Sequence, residues 1–229
     1  MDTLLKPLQV RETLLEKNVR TFTPHDFEAI FHTSPTRTKY FLENQTLDGL
    51  FIRLKKGMYA LKTDLPSSEE IANSIYRPSY VSFEYALAYY GILPEIPYSM
   101  TSATTKPTRD FIVNGMAYSF FAIKPEAYTG YMLINSDRRT SLKGNNMYYF
   151  ETGTMGSITD NRAFLMAEPE KALVDYLYFV SLGKKQPNDR LDIPRGLLNK
   201  TKLKQYARLY DRKKLDELIK TYLWLPTTP

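Results

Sequence analysis

The chain of 229 residues contains no cysteine and only two histidines, His25 and His32. The absence of cysteine excludes disulfides, cysteine nucleophiles and thiolate metal sites, and it is typical of proteins from a reducing compartment. Two histidines are too few for a histidine metal cluster, and they argue against a histidine-based catalytic triad. We therefore expect no metal ion in this protein.

Long apolar runs and glycine-rich phosphate loops are also missing. The first 17 residues carry Asp2 and Glu12 and contain no apolar stretch long enough for a signal peptide or a membrane span. Neither GxxxxGK[ST] nor GxGxxG occurs, so the common loops that bind nucleotide phosphates are absent. We expect a soluble cytoplasmic protein without a membrane partner and without a cofactor.

Basic residues are unevenly distributed along the chain. The net charge is +6, and residues 184–229 alone hold 12 basic and 5 acidic residues. Such a tail is either a solvated outer face of packed helices or a surface for nucleic acid, and both interpretations stay open. The residues of this candidate second nucleic-acid surface are Lys202, Lys204, Arg208, Arg212 and Lys213.

The first third of the chain predicts three helices followed by a β-hairpin. Thr23 and Ser34 are good N-caps, and each is followed by a proline at the first helical position. Around Lys56-Gly57, apolar and polar residues alternate as they do in a hairpin. The predicted helices span 7–19, 23–31 and 34–47, and the hairpin spans 50–61. This order is typical of a winged helix-turn-helix, which we assign to residues 1–65 as a DNA-binding domain.

In a winged helix the third helix enters the major groove and the hairpin lies over the phosphates. Cations on the hairpin release counterions from the DNA when they contact its backbone. Arg37 is the best candidate for reading a guanine edge. The candidate DNA-binding residues are Thr36, Arg37, Lys39 and Tyr40 on the helix and Arg53, Lys55 and Lys56 on the hairpin.

The remaining residues, 66–229, predict an α+β domain that ends in a basic helical tail. Asn114-Gly115 between apolar runs is a strong hairpin signal. Strands are expected over 99–106 and 147–158, and helices over 82–92, 167–182, 201–210 and 215–223. The whole chain is therefore expected to be α+β.

Three segments in this order resemble the AbiEi-type antitoxins, the regulators of type IV toxin–antitoxin (abortive infection) systems. They are LFIRLKKGMYAL (50–61), YVSFEYALAYYGILPEIP (80–97) and AEPEKALVDYLY (167–178). The resemblance implies a repressor that binds its own promoter, and self-association on the DNA stays open. It also implies a C-terminal domain that counters a nucleotidyltransferase-like toxin without forming a stable complex with it.

The same segments have purely structural interpretations. Ser82 is expected to cap its helix, and Lys171 and Asp175, one helical turn apart, are expected to pair on the surface, where such pairs contribute little. A helix that begins near Glu168 and Glu170 would place these two acids on different sides, which argues against a metal-dependent nuclease.

A nucleotidyltransferase pattern is equally incomplete, because Gly156-Ser157 is followed by Asp160 alone. We expect no catalytic residues and a protein that acts by binding. The alternative is a nucleic-acid-processing enzyme or RNA-binding protein whose C-terminal domain carries the activity.

Overall fold

The computed structural model describes residues 5–135 and 162–224, and these residues form an α+β structure with two sheets. The strand predicted over 147–158 lies outside the described residues, as do Gly156, Ser157 and Asp160. The elements of the N-terminal part are α1 (Pro7–Glu16), β1 (Thr21–Phe22), α2 (Pro24–Phe31), α3 (Pro35–Leu47), β2 (Phe51–Lys55) and β3 (Met58–Leu61).

The three predicted helices and the hairpin of this part are confirmed, with one boundary moved. Helix α1 ends at Glu16, because Asn18 adopts a left-handed conformation (φ 53°) that terminates the helix. Helix α2 begins with a capping box, in which Thr23 Oγ1 accepts from Asp26 N and the Asp26 carboxylate accepts from Thr23 N.

The sheet of the N-terminal part has the strand order β1-β3-β2, with both pairs antiparallel. The turn between β2 and β3 is Lys56-Gly57, and Gly57 has a φ of 73°, a conformation that glycine adopts without steric cost. Beneath the sheet, Phe22 and Phe51 meet edge to face with ring centroids 5.3 Å apart. This small aromatic core holds α3 and the hairpin in one unit.

The second part contains the larger sheet, of order β6-β7-β5-β4-β9-β8. The pairs β5/β7 and β4/β9 are parallel, and the others are antiparallel. Its elements are α4 (Ser68–Ile75), β4 (Ser79–Val81), α5 (Phe83–Tyr89), β5 (Ser99–Thr104), β6 (Arg109–Val113), β7 (Met116–Ala122), β8 (Tyr131–Asn135), β9 (Ala163–Ala167), α6 (Pro169–Ser181), α7 (Lys200–Arg208) and α8 (Lys213–Trp224).

The predicted Asn114-Gly115 hairpin is confirmed as the turn between β6 and β7. Both residues have positive φ (49° and 80°), as a type I′ turn requires. The basic tail forms the two predicted helices, which pack on α6 through buried residues such as Leu203 and Leu215. The apolar stripe of the tail is therefore used for packing within the chain.

Polar contacts and shared apolar side chains connect the two parts. Arg20 donates to both carboxylate oxygens of Glu70 at 3.0 and 2.8 Å and to Leu65 O at 2.7 Å. Leu54 and Ala60 of the hairpin belong to the apolar cluster of the second part. The hairpin consequently packs against the larger sheet instead of projecting alone into solvent.

Candidate nucleic-acid interface

Helix α3 has one face in the core and one face in solvent. Thr38 and Leu42 are buried, and the half-buried Phe41 packs 5.6 Å from Phe27, ring centroid to centroid. Thr38 Oγ1 also lies 2.7 Å from Thr33 Oγ1, within hydrogen-bonding distance. These contacts fix the rotation of α3 about its axis, and hence the residues that it presents outward.

The outward face of α3 begins at its first turn. Thr36 and Lys39 are exposed, Tyr40 is 70% exposed, and Arg37 is half-exposed. The first turn of α3 contains no acidic residue that would neutralise the positive end of the helix dipole. The predicted major-groove residues thus share a face that is chemically suited to an anionic partner.

The hairpin that follows α3 carries three cations in unlike surroundings. Arg53 and Lys56 are exposed. Lys55 is half-buried, and its Nζ donates to the backbone oxygen of Ile75 at 2.6 Å. The Lys55 ammonium group thus already makes a hydrogen bond to the end of helix α4, and a predicted phosphate contact would come in addition to that bond.

A cleft of about 520 Å³ lies between the hairpin and strand β6, and we call it the basic cleft. Among the residues that the structure describes, five cationic side chains and no acid line it. The lining residues are Leu54, Lys55, Lys56, Ile75, Tyr76, Arg77, Lys106, Arg109, Phe111 and Ile112. Sequence reasoning missed Arg77, Lys106 and Arg109, which are not adjacent to the hairpin in the chain.

The cations of the basic cleft repel one another. Burial lowers the pKa of Lys55, and the positive charges of Lys106, Arg109 and Arg77 lower it further. Such a cluster of like charges gains stability from any anion that enters it.

Two of the five cations of the candidate second surface on the tail make hydrogen bonds within the chain. Lys202 Nζ donates to Glu168 Oε2 at 2.8 Å, and Arg212 donates to the backbone oxygen of Ser181 at 2.9 Å. Lys204, Arg208 and Lys213 are exposed. Lys202 is exposed as well, so four of the five predicted residues lie on the outer face of the tail and Arg212 is half-buried.

The expected surface pair of Lys171 and Asp175 forms, but its predicted location is wrong. Both side chains are fully buried, and Lys171 Nζ donates to Asp175 Oδ1 and, at 3.1 Å, to the Tyr210 hydroxyl. The Tyr80 and Ser82 hydroxyls donate to Asp175 Oδ2 at 2.9 and 2.8 Å. The α-helical spacing of Lys171 and Asp175 predicted the contact, whereas burial follows from packing between α6, β4 and the tail.

Burial shifts the pKa values of three members of this cluster, Tyr80, Lys171 and Tyr210. Burial raises the pKa values of Tyr80 and Tyr210 well above their ordinary value, and the Asp175 carboxylate raises them further. Burial lowers the pKa of Lys171, while Asp175 acts in the opposite direction. Both hydroxyls therefore stay protonated at neutral pH and remain donors to Asp175.

Ser82 occupies the N-cap position of α5, but its hydroxyl does not cap the helix. The Ser82 hydroxyl donates to Asp175 instead. The backbone N–H of Tyr85 donates to Thr101 Oγ1 at 3.1 Å. Thr101 also donates to the backbone oxygen of Ser82 at 2.7 Å. A side chain from β5 thus supplies the cap that was expected from Ser82.

The acids that were weighed as nuclease ligands hold the tail in place. Glu168 accepts from Lys202 and from the Tyr206 hydroxyl, each at 2.8 Å. Glu170 accepts from the backbone N–H of Asn199 at 2.6 Å. Within residues 5–135 and 162–224, histidine, aspartate and glutamate form no group of three or more that could hold a metal ion.

Comparison of the sequence with models of known protein families gives no match, and comparison with curated proteins gives none either. Of the helices in the described part of the chain, none combines the length and the apolar character that are needed to cross a membrane.

Proposed function

We propose that this chain is a sequence-specific DNA-binding repressor whose first 65 residues act as a winged helix-turn-helix. The observation that carries the proposal is the orientation of α3, whose buried Thr38 and Leu42 leave Thr36 and Lys39 exposed beside a hairpin with exposed cations. An order of three helices and a basic hairpin is the arrangement that places one helix in a major groove.

In this mechanism the first two turns of α3 lie in the major groove. Arg37 donates to the O6 and N7 atoms of a guanine, and the exposed Tyr40 and Thr36 contact bases or phosphates. Arg53 and Lys56 on the hairpin contact phosphates on the flank of the groove. Thus α3 supplies specificity, while the hairpin supplies affinity that is independent of sequence.

The finer proposal is that the repressor is the antitoxin of a type IV toxin–antitoxin system. Its support is the resemblance of residues 50–61, 80–97 and 167–178 to AbiEi-type antitoxins. Residues 66–229 then form the domain that counters a nucleotidyltransferase-like toxin without a stable complex, in the cytoplasm. The motif segments 80–97 and 167–178 meet in the structure, because Asp175 accepts hydrogen bonds from Tyr80 and Ser82.

Footprinting and fluorescence anisotropy on the duplex upstream of the gene test DNA binding. Arg37→Ala should cost about 1–3 kcal/mol of binding free energy on that duplex and much less on a scrambled one, because a base contact is lost. Arg190→Ala, in the exposed loop before α7, is the matched control and should leave the footprint unchanged. If Arg37→Ala kept the wild-type preference for the upstream duplex, Arg37 would not read a base.

The hairpin is tested separately through the salt dependence of binding. The double variant Arg53→Ala, Lys56→Ala should weaken binding to all duplexes and reduce the slope of log K against log salt by about two. The same slope as the wild type would mean that the hairpin does not contact the DNA.

The variant Thr36→Ala, Arg37→Ala, Arg53→Ala, Lys56→Ala, which leaves the packing of Leu54 and Ala60 on the second part intact, is co-expressed with the toxin to test the division of roles. DNA binding should be lost while neutralisation is retained.

A further inference from the structure

The basic cleft brings together cations from both parts of the chain. Lys55 and Lys56 come from the hairpin, whereas Arg77, Lys106 and Arg109 come from the larger sheet and its connections. All of these except Lys55 are exposed. Within residues 5–135 and 162–224, no acid lines the cleft to balance this positive charge.

Several of these cations are held in place before any ligand arrives. Arg77 Nε donates to the backbone oxygen of Asn73 at 3.2 Å, and the Arg109 guanidinium lies 5.2 Å from the centre of the Phe111 ring. The Lys106 ammonium lies 5.6 Å from the centre of the Tyr76 ring. Side chains ordered in this way lose less conformational entropy when they bind an anion.

The aromatic walls are themselves fixed. The Tyr76 hydroxyl donates to the backbone oxygen of Pro107 at 2.9 Å, and its ring lies 5.7 Å from that of Phe111, centroid to centroid. The cleft therefore combines cations with packed aromatic rings, and its volume of about 520 Å³ exceeds that of one phosphate group.

We propose that the basic cleft binds the phosphodiester backbone of the DNA where the backbone passes the hairpin, which rests on the proposed function. Lys56 lines the cleft and in that function already contacts a phosphate. A DNA strand that continues past this contact into the cleft comes within reach of Arg77, Lys106 and Arg109. The larger sheet thereby becomes a second, sequence-independent part of the DNA-binding surface.

A duplex backbone fits these observations better than a small anion does. The cations lie on both sides of an open cleft. A chain of phosphates can contact several of these cations at once. Each phosphate that is neutralised releases a condensed counterion, so the contribution appears in the salt dependence of binding. An isolated small anion gives no such length-dependent gain.

The test is the triple variant Arg77→Gln, Lys106→Gln, Arg109→Gln of the full chain, measured by fluorescence anisotropy on the upstream duplex. We expect the slope of log K against log salt to fall by about two to three. The ratio of affinities for the upstream and scrambled duplexes should not change, because phosphate contacts carry no base information.

The matched control removes the same charge at exposed positions away from the cleft, α3, the hairpin and the tail helices, with Lys6→Gln, Lys17→Gln and Lys184→Gln. It should leave the slope at the wild-type value. Urea midpoints of both triple variants establish that they are folded. If the cleft variant is not folded, Lys106→Gln alone should still lower the slope by about 0.9.

The outcomes separate this proposal from the one on which it rests. A wild-type protein with no preference for its upstream duplex would refute both. A wild type that binds specifically, with a cleft variant equal to the control, would refute the cleft alone. A cleft variant that loses affinity for single-stranded RNA but not for duplex DNA would show that the cleft serves RNA, which also overturns the proposal.

Discussion

Replacing Lys171 with methionine removes an ammonium group from the interior while keeping most of the side-chain volume. In the wild type this group donates to Asp175 and to Tyr210, and both members of the pair are fully buried. After the substitution, Asp175 keeps its hydrogen bonds from Tyr80, Ser82 and Tyr210. What it loses is its cationic partner, so a carboxylate stays buried without a compensating charge.

Breaking a buried ion pair from one side costs about 3–5 kcal/mol in free energy of unfolding. For a chain of this size, 1 kcal/mol corresponds to about 2–4 °C in Tm, so the melting temperature should fall by about 6–20 °C. Asp175→Asn should cost at least as much. The substitution leaves the Lys171 ammonium group buried without a counter-charge. The asparagine side chain has one acceptor oxygen, which cannot accept from all four donors of the wild type.

Urea denaturation, followed by circular dichroism, measures these costs as changes in midpoint at constant m value. Lys184→Met, just beyond the end of α6 and exposed, is the control and should change stability by less than about 0.5 kcal/mol. If Lys171→Met stayed within about 1 kcal/mol of the wild type, the pair would not be buried as described. A milder effect of Asp175→Asn than of Lys171→Met would contradict the central position of the carboxylate.

Two further predictions concern stability. Gly130→Ala should be more destabilising than Gly57→Ala by about 1–3 kcal/mol in urea denaturation. Both glycines have positive φ, but only at Gly130 would a Cβ lie 2.6 Å from the Tyr206 ring, so equal costs would refute the crowding. The backbone N–H of Thr23, followed by its hydroxyl, lowers the pKa of Asp26 below 3.8, although partial burial opposes this. This carboxylate contributes its full stabilisation above pH 3.8, its ordinary pKa. The stabilisation is lost as the pH falls through the lowered pKa of the folded protein. The stability difference between the wild type and Asp26→Asn should therefore shrink in acid, and a difference that stays constant between neutral and acidic pH would contradict the capping role.

Local patterns predicted the elements that position the candidate interface. Thr23-Pro24 and Ser34-Pro35 indicated where α2 and α3 begin, and Asn114-Gly115 indicated a hairpin that the structure confirms. These signals depend on backbone conformation and on hydrogen bonds within a few residues. The residues on the inner face of α3, Thr38, Phe41 and Leu42, likewise recur at helical spacing.

The basic cleft and the buried cluster did not follow from such patterns. Arg109 lies more than 50 residues from Lys56 in the chain, and Tyr80 is 95 residues from the Asp175 carboxylate that it contacts. Even the expected pair of Lys171 and Asp175 was placed on the wrong side of its helix. No local rule states which face of α6 will be covered by the tail, whose Tyr210 lies 35 residues after Asp175.

The sequence alone therefore determined the helices, the turns and the cationic hairpin, because short-range conformational preferences and hydrophobic periodicity are properties of neighbouring residues. The tertiary structure decided which charges are buried, which hydroxyl caps α5, and which distant cations meet beside the hairpin. Burial and long-range electrostatics depend on how elements pack, and that packing is settled by the whole chain together.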